Sequence, residues 1–99
     1  MAQIVYTRNA LSNLDRLHRF LATRNPEAAT RALQAIITRF DLLETHPKLG
    51  TVDPEQPDLR EILIPFGSAG YLARYRLDGD FVILLAVRHA REAGCTLDH

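Results

Sequence analysis

The sequence predicts an α+β domain made of an N-terminal strand, a two-helix hairpin and then a three-stranded antiparallel sheet. Three observations support this fold class. A short β-type segment precedes two stretches with apolar residues at helical spacing, a loop with three prolines follows, and the last third holds strand-like segments joined by an Asp-Gly turn. We expect residues 1–99 to be a single domain, because a chain of this size buries roughly 60 to 65% of its unfolded surface, enough for one core.

The first two elements are a strand and a helix. Residues 3–7, Gln-Ile-Val-Tyr-Thr, form a short β-type segment, and Thr7 or Asn9 is available to cap the helix that follows. Apolar residues then recur at helical spacing while charged residues lie off that stripe, which predicts a helix of about four turns. The stripe consists of Leu11, Leu14, Leu17, His18 and Leu21.

The second helix has a distinct start signal. Asn25 is a preferred N-cap, Pro26 suits the first helical position, and Glu27 places an acid near the positive end of the helix dipole. Its apolar face comprises Ala29, Leu33, Ile36, Ile37, Phe40 and Leu43, and the helix ends before Pro47. The break between the two helices is so short that they form a helical hairpin.

The remaining elements are a loop and three strands. Residues 47–58 have no periodicity and predict a loop, whereas residues 59–65 predict a strand that ends at a proline. Residues 71–77 alternate, so the tyrosines share the face toward the helices, and Arg74 and Arg76 share the other face, where Arg88 is also expected. An Asp-Gly-Asp turn then leads into residues 81–87, which are apolar on both faces, as expected of a central strand paired on both edges.

Composition narrows the class of protein. Hydrophobic residues make up 46% and charged residues 24%, as in ordinary globular domains, and no apolar stretch approaches the roughly 20 residues that a membrane span needs. The N-terminus lacks the pattern of a signal peptide, and the single cysteine, Cys95, has no partner for an internal disulfide. We therefore expect a protein of a reducing, bacterial-type cytoplasm without membrane association. The four histidines have no metal-ligand spacing, so neither a metal nor a cofactor is expected.

The net charge is zero, and eleven of the twelve basic residues are arginine. Residues 1–48 are mildly basic, with seven Lys and Arg against four Asp and Glu, whereas residues 49–70 are acidic, with one against four. Arginine favours bidentate recognition of carboxylates or phosphates. A protein that binds nucleic acid through phosphate contacts usually carries a net positive charge, and this chain does not.

The order of these segments resembles the RelE/ParE superfamily of toxins from bacterial type II toxin–antitoxin modules. The resemblance covers residues 4–92 and includes Asn-Pro-Glu-Ala-Ala at the second helix, His-Pro-Lys-Leu-Gly at the loop, Leu-Arg-Glu-Ile from Leu59, and Val-Arg-His-Ala-Arg-Glu from Val87. The pattern is most similar to the ParE branch, the plasmid stabilisation proteins. It implies a RelE/ParE-like fold and a toxin as the function.

The superfamily places two functions on one fold. Resemblance to ParE implies a gyrase-poisoning toxin that is not an enzyme, whereas resemblance to RelE implies a ribosome-dependent mRNA endoribonuclease. In the RelE branch, lysines, arginines and a C-terminal tyrosine supply the catalytic groups. This chain has a single lysine, Lys48, and lacks that tyrosine. The ParE interpretation is therefore preferred. A member that binds an antitoxin and no longer poisons any target is a third possibility.

The two functions assign different roles to the same residues. For a gyrase inhibitor, the contact residues are Arg74, Arg76, Arg88, His89 and Arg91. For a nuclease, Arg60, Arg88 and His89 are the catalytic candidates, with Glu61 as a possible carboxylate. Against the nuclease, neighbouring residues of a strand point to opposite faces, which separates Arg60 from Glu61 and Arg88 from His89. The alternative is that each arginine on the face opposite the helices only keeps that face of the sheet hydrated.

The resemblance also implies a partner. ParE-type toxins form hetero-oligomers with a ParD-like antitoxin, whose ribbon-helix-helix dimer binds operator DNA and whose C-terminal segment folds onto the toxin. The toxin thus meets operator DNA only through the antitoxin. An acidic segment suits the basic helices, and we expect Arg16, Arg19, Arg31 and Arg39 to contact it in the groove between the hairpin and the sheet. The alternative is that these arginines only keep the helices soluble.

Overall fold

The computed structural model describes residues 2–90, which contain two helices and five strands. The elements are β1 (Gln3–Tyr6), α1 (Arg8–Ala22), α2 (Pro26–Leu42), β2 (Thr51–Val52), β3 (Leu59–Ile64), β4 (Tyr71–Asp78) and β5 (Phe81–His89). They form one sheet in the order β1-β5-β4-β3-β2, with α1 packed on β5 and α2 on β3. The predicted α+β class and element order are confirmed. Neither helix of this part of the chain has the length and apolar character to cross a membrane.

The N-terminal strand lies at one edge of the sheet. β1 pairs in parallel with β5, from Gln3 opposite Phe81 to Tyr6 opposite Leu84. Parallel neighbours need a long crossover connection, and the helical hairpin is part of the connection between these two strands. The hairpin therefore covers only one face of the sheet, and its other face is not covered by any helix of the described residues.

Thr7 caps α1 and also ties the helix to the sheet. Its side chain accepts a hydrogen bond from the backbone N–H of Ala10 at 3.1 Å and donates one to the carbonyl of Leu84 at 2.6 Å. Asn9, the other cap candidate, instead donates its amide to the carbonyl of Leu85 at 2.8 Å. The start of α1 is thus fixed against the middle of β5.

The buried face of α1 differs from the predicted stripe at its first position. Ala10 is fully buried and Leu14 is 7% exposed, whereas Leu11 is 54% exposed. Because the helix begins at Arg8, Ala10 and Leu14 lie one turn apart on the face toward the sheet, and Leu11 is rotated by about 100° from Ala10. The predicted core position of Leu11 was therefore wrong.

The predicted start of α2 is confirmed. Asn25 accepts a hydrogen bond from the N–H of Ala28 at 3.1 Å, and Pro26 is the first helical residue. The helix buries Ala29, Ala32, Ile36 and Phe40, and Leu43 follows it into the core. The Phe40 ring meets Tyr6 edge to face at 5.8 Å, which joins α2 to the edge strand.

The region predicted to be only a loop contains a short strand. β2 pairs antiparallel with β3, with Thr51 opposite Glu61 and Val52 opposite Arg60. Two residues are too few to show the alternation of a strand, so β2 can be recognised only from its pairing with β3. It is a fourth antiparallel strand beyond the predicted three, and it forms the edge of the sheet next to β3.

A β-bulge in β5 changes which side chains face the helices. Arg74 lies opposite Ala86 and Tyr75 opposite Leu84, so Leu85 has no opposite residue on β4. An extra residue inverts the alternation beyond it, and Leu84 and Val87 are both buried although three positions separate them. The predicted central strand, paired on both edges, is confirmed.

Candidate functional site

The uncovered face of the sheet carries three arginines. Arg74 and Arg76 project there because they alternate with the buried tyrosines of β4, and Arg88 lies opposite Leu72 on the same face. We call Arg74, Arg76 and Arg88 the arginine face. Their predicted placement on the face opposite the helices is confirmed.

Arg74 differs from the other two because it is held by carboxylates. One of its terminal nitrogens lies 3.2 Å from Glu61 and 3.5 Å from Asp53, and its side chain is 35% exposed. Arg76 and Arg88 are exposed, and the structure of residues 2–90 gives neither of them a salt bridge. Arg76 and Arg88 are therefore the cations that this face offers to a partner.

Apolar side chains surround these cations. Leu63 is 48% exposed, Phe81 is 45% exposed and Val5 is 38% exposed, and the strand registers place all three on the arginine face. Arginine beside exposed aromatic and aliphatic side chains is the composition found at the centre of protein–protein interfaces. The face is therefore suited to contact with another protein.

Arg60 lies on the opposite face of the sheet. It is paired in register with Tyr75, and its Nη1 donates to the carbonyls of Lys48 at 3.1 Å and Gly50 at 2.9 Å. The Tyr75 hydroxyl accepts a hydrogen bond from the N–H of Gly50 and donates one to the carbonyl of Pro47, each at 2.8 Å. Arg60 and Tyr75 together anchor the loop before β2, and this is a structural role.

His89 also lies on the helix-covered face. Its ring is 5.5 Å from that of Tyr71, with the two planes at 89°, and Tyr71 is 2% exposed. Arg88, one residue earlier, lies on the arginine face. The structure thus separates Arg88 from Arg60 and His89 by the thickness of the sheet. The predicted separation of Arg88 from His89 is confirmed.

A groove lies between α1 and the end of the sheet where β5 finishes. It is lined by Arg16, Leu17, Phe20, Leu21 and Arg24 from α1 and by Tyr71 and His89 from the sheet, and it has a volume of about 510 Å³. We call it the α1 groove. Its floor is apolar and its rim carries only basic side chains. His89 therefore belongs to this groove and not to the arginine face.

A second groove lies between α2 and the end of β3. It is lined by Arg31, Gln34, Ala35, Thr38, Arg39, Leu42, Ile64 and Pro65, with a volume of about 510 Å³. We call it the α2 groove. Arg31 lies 4.0 Å from Glu27, and the Nε of Arg39 is buried without a hydrogen-bond partner.

The four arginines predicted to contact an antitoxin are therefore divided between surfaces. Arg16 lines the α1 groove, and Arg31 and Arg39 line the α2 groove. Arg19 lines neither and pairs with Asp15 at 2.9 Å on the exposed side of α1. The structure thus has two grooves where the sequence predicted one between the hairpin and the sheet. The rims of both grooves carry basic side chains.

Arg91, the last of the predicted target-contact residues, lies outside residues 2–90. Within that range, no three His, Cys, Asp or Glu side chains are grouped so as to hold a metal ion.

Folding raises the pKa of all three tyrosine side chains. Burial raises the pKa of Tyr6, Tyr71 and Tyr75, and the carboxylates of Asp41 and Glu44 raise the pKa of Tyr6 further. The hydrogen bond with Gly50 and the charge of Arg60 act against burial and partly lower the pKa of Tyr75. The folded state therefore favours the neutral phenol at all three positions.

This predicts a loss of stability in alkaline solution. As the pH rises through about 10, tyrosines of the unfolded chain ionise first, so the unfolded state binds fewer protons and the free energy of unfolding falls. We expect urea unfolding to give a lower free energy at about pH 11 than at about pH 9. Tyrosinate absorbance should rise together with the loss of far-ultraviolet circular dichroism. Ionisation at the pH found for the urea-denatured chain, with the dichroism unchanged, would contradict this prediction.

Sequence reasoning missed Phe20 of the α1 groove and its contact with Arg24. Phe20 is 56% exposed, and the Arg24 guanidinium lies 4.7 Å from the centre of its ring. A phenylalanine off the buried stripe with an arginine four residues later was the available signal, since residues at that spacing meet on a helix surface. Asp53, the second partner of Arg74, had no such signal, because its position depends on the pairing of β2.

Comparison with known proteins finds toxins of type II toxin–antitoxin systems with the names ParE and RelE. Residues 4–94 match the family of the ParE toxin of type II toxin–antitoxin systems, parDE. Toxin RelE3 of Caulobacter vibrioides is 36% identical over 83 residues, which cover 84% of this chain and 88% of that protein, and Toxin ParE3 of the same organism is 30% identical over 92 residues, covering 92% and 89%. The solved chromosomal ParDE system of P. aeruginosa superposes with a TM-score of 0.76 at 24% identity, covering 91% of this chain and 97% of that one.

Proposed function

The chain belongs to the ParE toxin family of type II toxin–antitoxin systems, and on that premise we propose that it inhibits DNA gyrase without being an enzyme. In this proposal it binds gyrase through the arginine face and stabilises the cleaved-DNA intermediate. A ParD-like antitoxin neutralises it by forming a hetero-oligomer.

One observation carries the non-enzymatic part of the proposal. Proton transfer in RNA cleavage requires an acid and a base within hydrogen-bond reach of one reacting phosphodiester. Arg88 lies on one face of the sheet, whereas His89 lies on the other face beside Tyr71, and Arg60 is bound there to two backbone carbonyls. This arrangement favours a contact surface over a nuclease site.

The composition of the arginine face supports a protein target. Arg76 and Arg88 stand among exposed Leu63, Phe81 and Val5, which offer apolar contact area together with charge. The chain as a whole has no net charge, so long-range attraction to nucleic acid contributes little.

The positive rims of both grooves support neutralisation by an antitoxin. Arg16 at the α1 groove, and Arg31 and Arg39 at the α2 groove, offer charge complementarity to an acidic segment of a partner. We propose that operator DNA is bound through the antitoxin alone, since a neutral chain is poorly suited to binding it directly.

The test is a DNA gyrase supercoiling and cleavage assay with the purified chain, with and without its cognate antitoxin. We expect inhibition of supercoiling, accumulation of cleaved DNA, and relief of both by the antitoxin. Relaxation by a type I topoisomerase serves as the control and should not change. Normal supercoiling at a toxin excess of about 100-fold over gyrase would contradict the proposal.

A ribosome-dependent mRNA endoribonuclease is the second candidate. It is kept because relatives at 36% identity carry the name RelE, including Toxin RelE1 of Caulobacter vibrioides. Its signature is cleavage of mRNA on purified translating ribosomes, with a rate that depends on pH and falls on Arg88→Ala or His89→Ala substitution. Cleaved mRNA together with unaffected gyrase would establish this alternative.

A further inference from the structure

Arg74 lies in the middle of the arginine face, between the two cations for which residues 2–90 provide no salt bridge. It is two residues from Arg76 along β4 and two residues from Leu72, which stands opposite Arg88. Two residues of a strand span about 7 Å, so a partner that reaches both exposed cations also passes over Arg74. The charge found at this point therefore affects any partner bound to the face.

Two carboxylates share the guanidinium of Arg74. Glu61 stands opposite Arg74 on β3, and Asp53 comes directly after β2. One terminal nitrogen of Arg74 lies 3.2 Å from Glu61 and 3.5 Å from Asp53, and the two carboxylate side chains are 32% and 18% exposed, respectively. We call these three residues the Arg74 cluster. It contains one positive and two negative side chains.

Both carboxylates are fixed on the face by contacts that do not involve Arg74. One oxygen of Asp53 accepts hydrogen bonds from the backbone N–H groups of Glu55 at 2.8 Å and Gln56 at 3.3 Å. Glu61 belongs to β3, which is paired with β2 on one side and β4 on the other. Removal of Arg74 would therefore leave two negative charges without a counterion between the two exposed cations.

The guanidinium of Arg74 is poorly placed to bind an outside partner. One of its terminal nitrogens is engaged with both carboxylates, and its Nε is buried without a hydrogen-bond partner. Arg76 and Arg88, in contrast, are exposed. Arginine recognises carboxylates through paired donors of its planar group, and Arg74 has fewer of these donors accessible than the other two.

We propose that Arg74 is a positioning residue for target binding, and that the gyrase surface bound by the arginine face is acidic. Arg76 and Arg88 pair with carboxylates of that surface. Arg74 compensates the charges of Asp53 and Glu61, which would otherwise repel it. This inference rests on the proposed function, because it needs gyrase as the target. It goes further by naming the chemistry of the target surface and by giving Arg74 a role other than contact.

The test is a set of charge substitutions in the complete toxin, and the readout is the concentration that halves gyrase supercoiling. Arg74→Met should raise this concentration by roughly 10-fold, because the exposed carboxylates then face an acidic surface. The ratio between this variant and the parent should fall as the salt concentration rises, since ions screen the repulsion. Arg74→Lys keeps the positive charge and should stay within about threefold of the parent, whereas a bidentate contact would not tolerate lysine.

The decisive variant removes every charge of the Arg74 cluster. It combines Arg74→Met with Asp53→Asn and Glu61→Gln, which keep side chains of similar size. Asparagine can also accept the backbone hydrogen bonds that Asp53 accepts. We expect this triple variant to inhibit gyrase at least as strongly as the parent, because no carboxylate of the cluster remains to repel the target. Loss of a residue that contacts the target would not be rescued in this way.

Arg19→Met is the matched control. Arg19 also forms a salt bridge, with Asp15 at 2.9 Å, but it lies on the exposed side of α1. Its loss should leave inhibition of gyrase unchanged. Thermal unfolding shows which variants are folded, and if Arg74→Met does not fold, Arg74→Lys and the triple variant are compared directly with the parent.

Three results overturn the proposal. If the folded triple variant inhibits gyrase no better than the folded Arg74→Met variant, Arg74 is a contact residue and only the proposed function stands. If Arg74→Met inhibits as strongly as the parent, the cluster has no part in target binding, and the proposed function again stands. If the parent itself does not inhibit gyrase, the proposed function fails and this inference fails with it.

Discussion

A toxin in which Arg76 and Arg88 are both replaced by glutamate is expected to lose gyrase inhibition by at least about 100-fold. Charge reversal of two arginines at an interface centre costs several kcal/mol of binding free energy, and each 1.4 kcal/mol is a factor of ten. Both side chains are exposed and have no salt bridge in the described part of the chain, so stability should change by less than about 0.5 kcal/mol. The measurement is the toxin concentration that halves gyrase supercoiling.

The matched control is the double replacement of Arg8 and Arg19 by glutamate. These residues are exposed on α1, away from the arginine face, and their reversal changes the net charge by the same amount. It should leave gyrase inhibition within about threefold of the parent, while both double variants keep the native circular dichroism. Equal inhibition by the two double variants would remove the arginine face from the proposed mechanism.

Gly70→Ala is expected to lower the free energy of unfolding by about 2–5 kcal/mol, the largest effect on stability that we predict for one exchange. Gly70 has a φ of +95°, and an added Cβ would meet the Ile64 carbonyl oxygen and lie 3.1 Å from the backbone of Pro65 and Phe66. Left-handed strain contributes about 1–2 kcal/mol and overpacking about 1–3 kcal/mol. The carbonyl of Gly70 also accepts the N–H of Ala90 at 2.9 Å, so this strain acts where β4 begins and β5 ends.

Gly67→Ala is the control for backbone strain alone. Its φ is +62°, and nothing lies within 4 Å of an added Cβ, so the cost should be only about 1–2 kcal/mol. Thermal unfolding distinguishes the two, because each kcal/mol shifts the melting temperature of a domain of this size by roughly 4–8 °C. Equal shifts for the two variants would show that the crowding around Gly70 relaxes without cost.

Several elements followed from the sequence because their determinants are local. Asn25 and Pro26 set the start of α2 through a side-chain cap and a preset φ, and both act within one helical turn. Alternation along β4 placed Tyr75 in the core and Arg74 on the other face in the same way. Leu11 was misplaced, because the rotation of α1 about its axis depends on how the helix packs on β5.

The candidate site was predicted less well than the fold. Arg74, Arg76 and Arg88 were correctly grouped on one face, and the family was recognised from the order of short segments. The salt bridge of Arg74 with Asp53 and the loop contacts of Arg60 were not predicted, because both depend on residues 47–53, which have no periodicity of their own. The division of the predicted groove into the α1 groove and the α2 groove was likewise not foreseen, since each joins side chains that are distant in sequence.

By itself, the sequence determined the family, the α+β class, the helix caps and the alternation of β4, because each depends on residues within a few positions of one another. The tertiary structure alone decided where the alternation of the C-terminal strand is interrupted and which side chains its end contacts. The bulge at Leu85 sends Arg88 to the arginine face and His89 to the α1 groove, and strict alternation from Leu84 would have exchanged them. The physical reason is that strand register is set by hydrogen bonding between β4 and β5, which no pattern within β5 records.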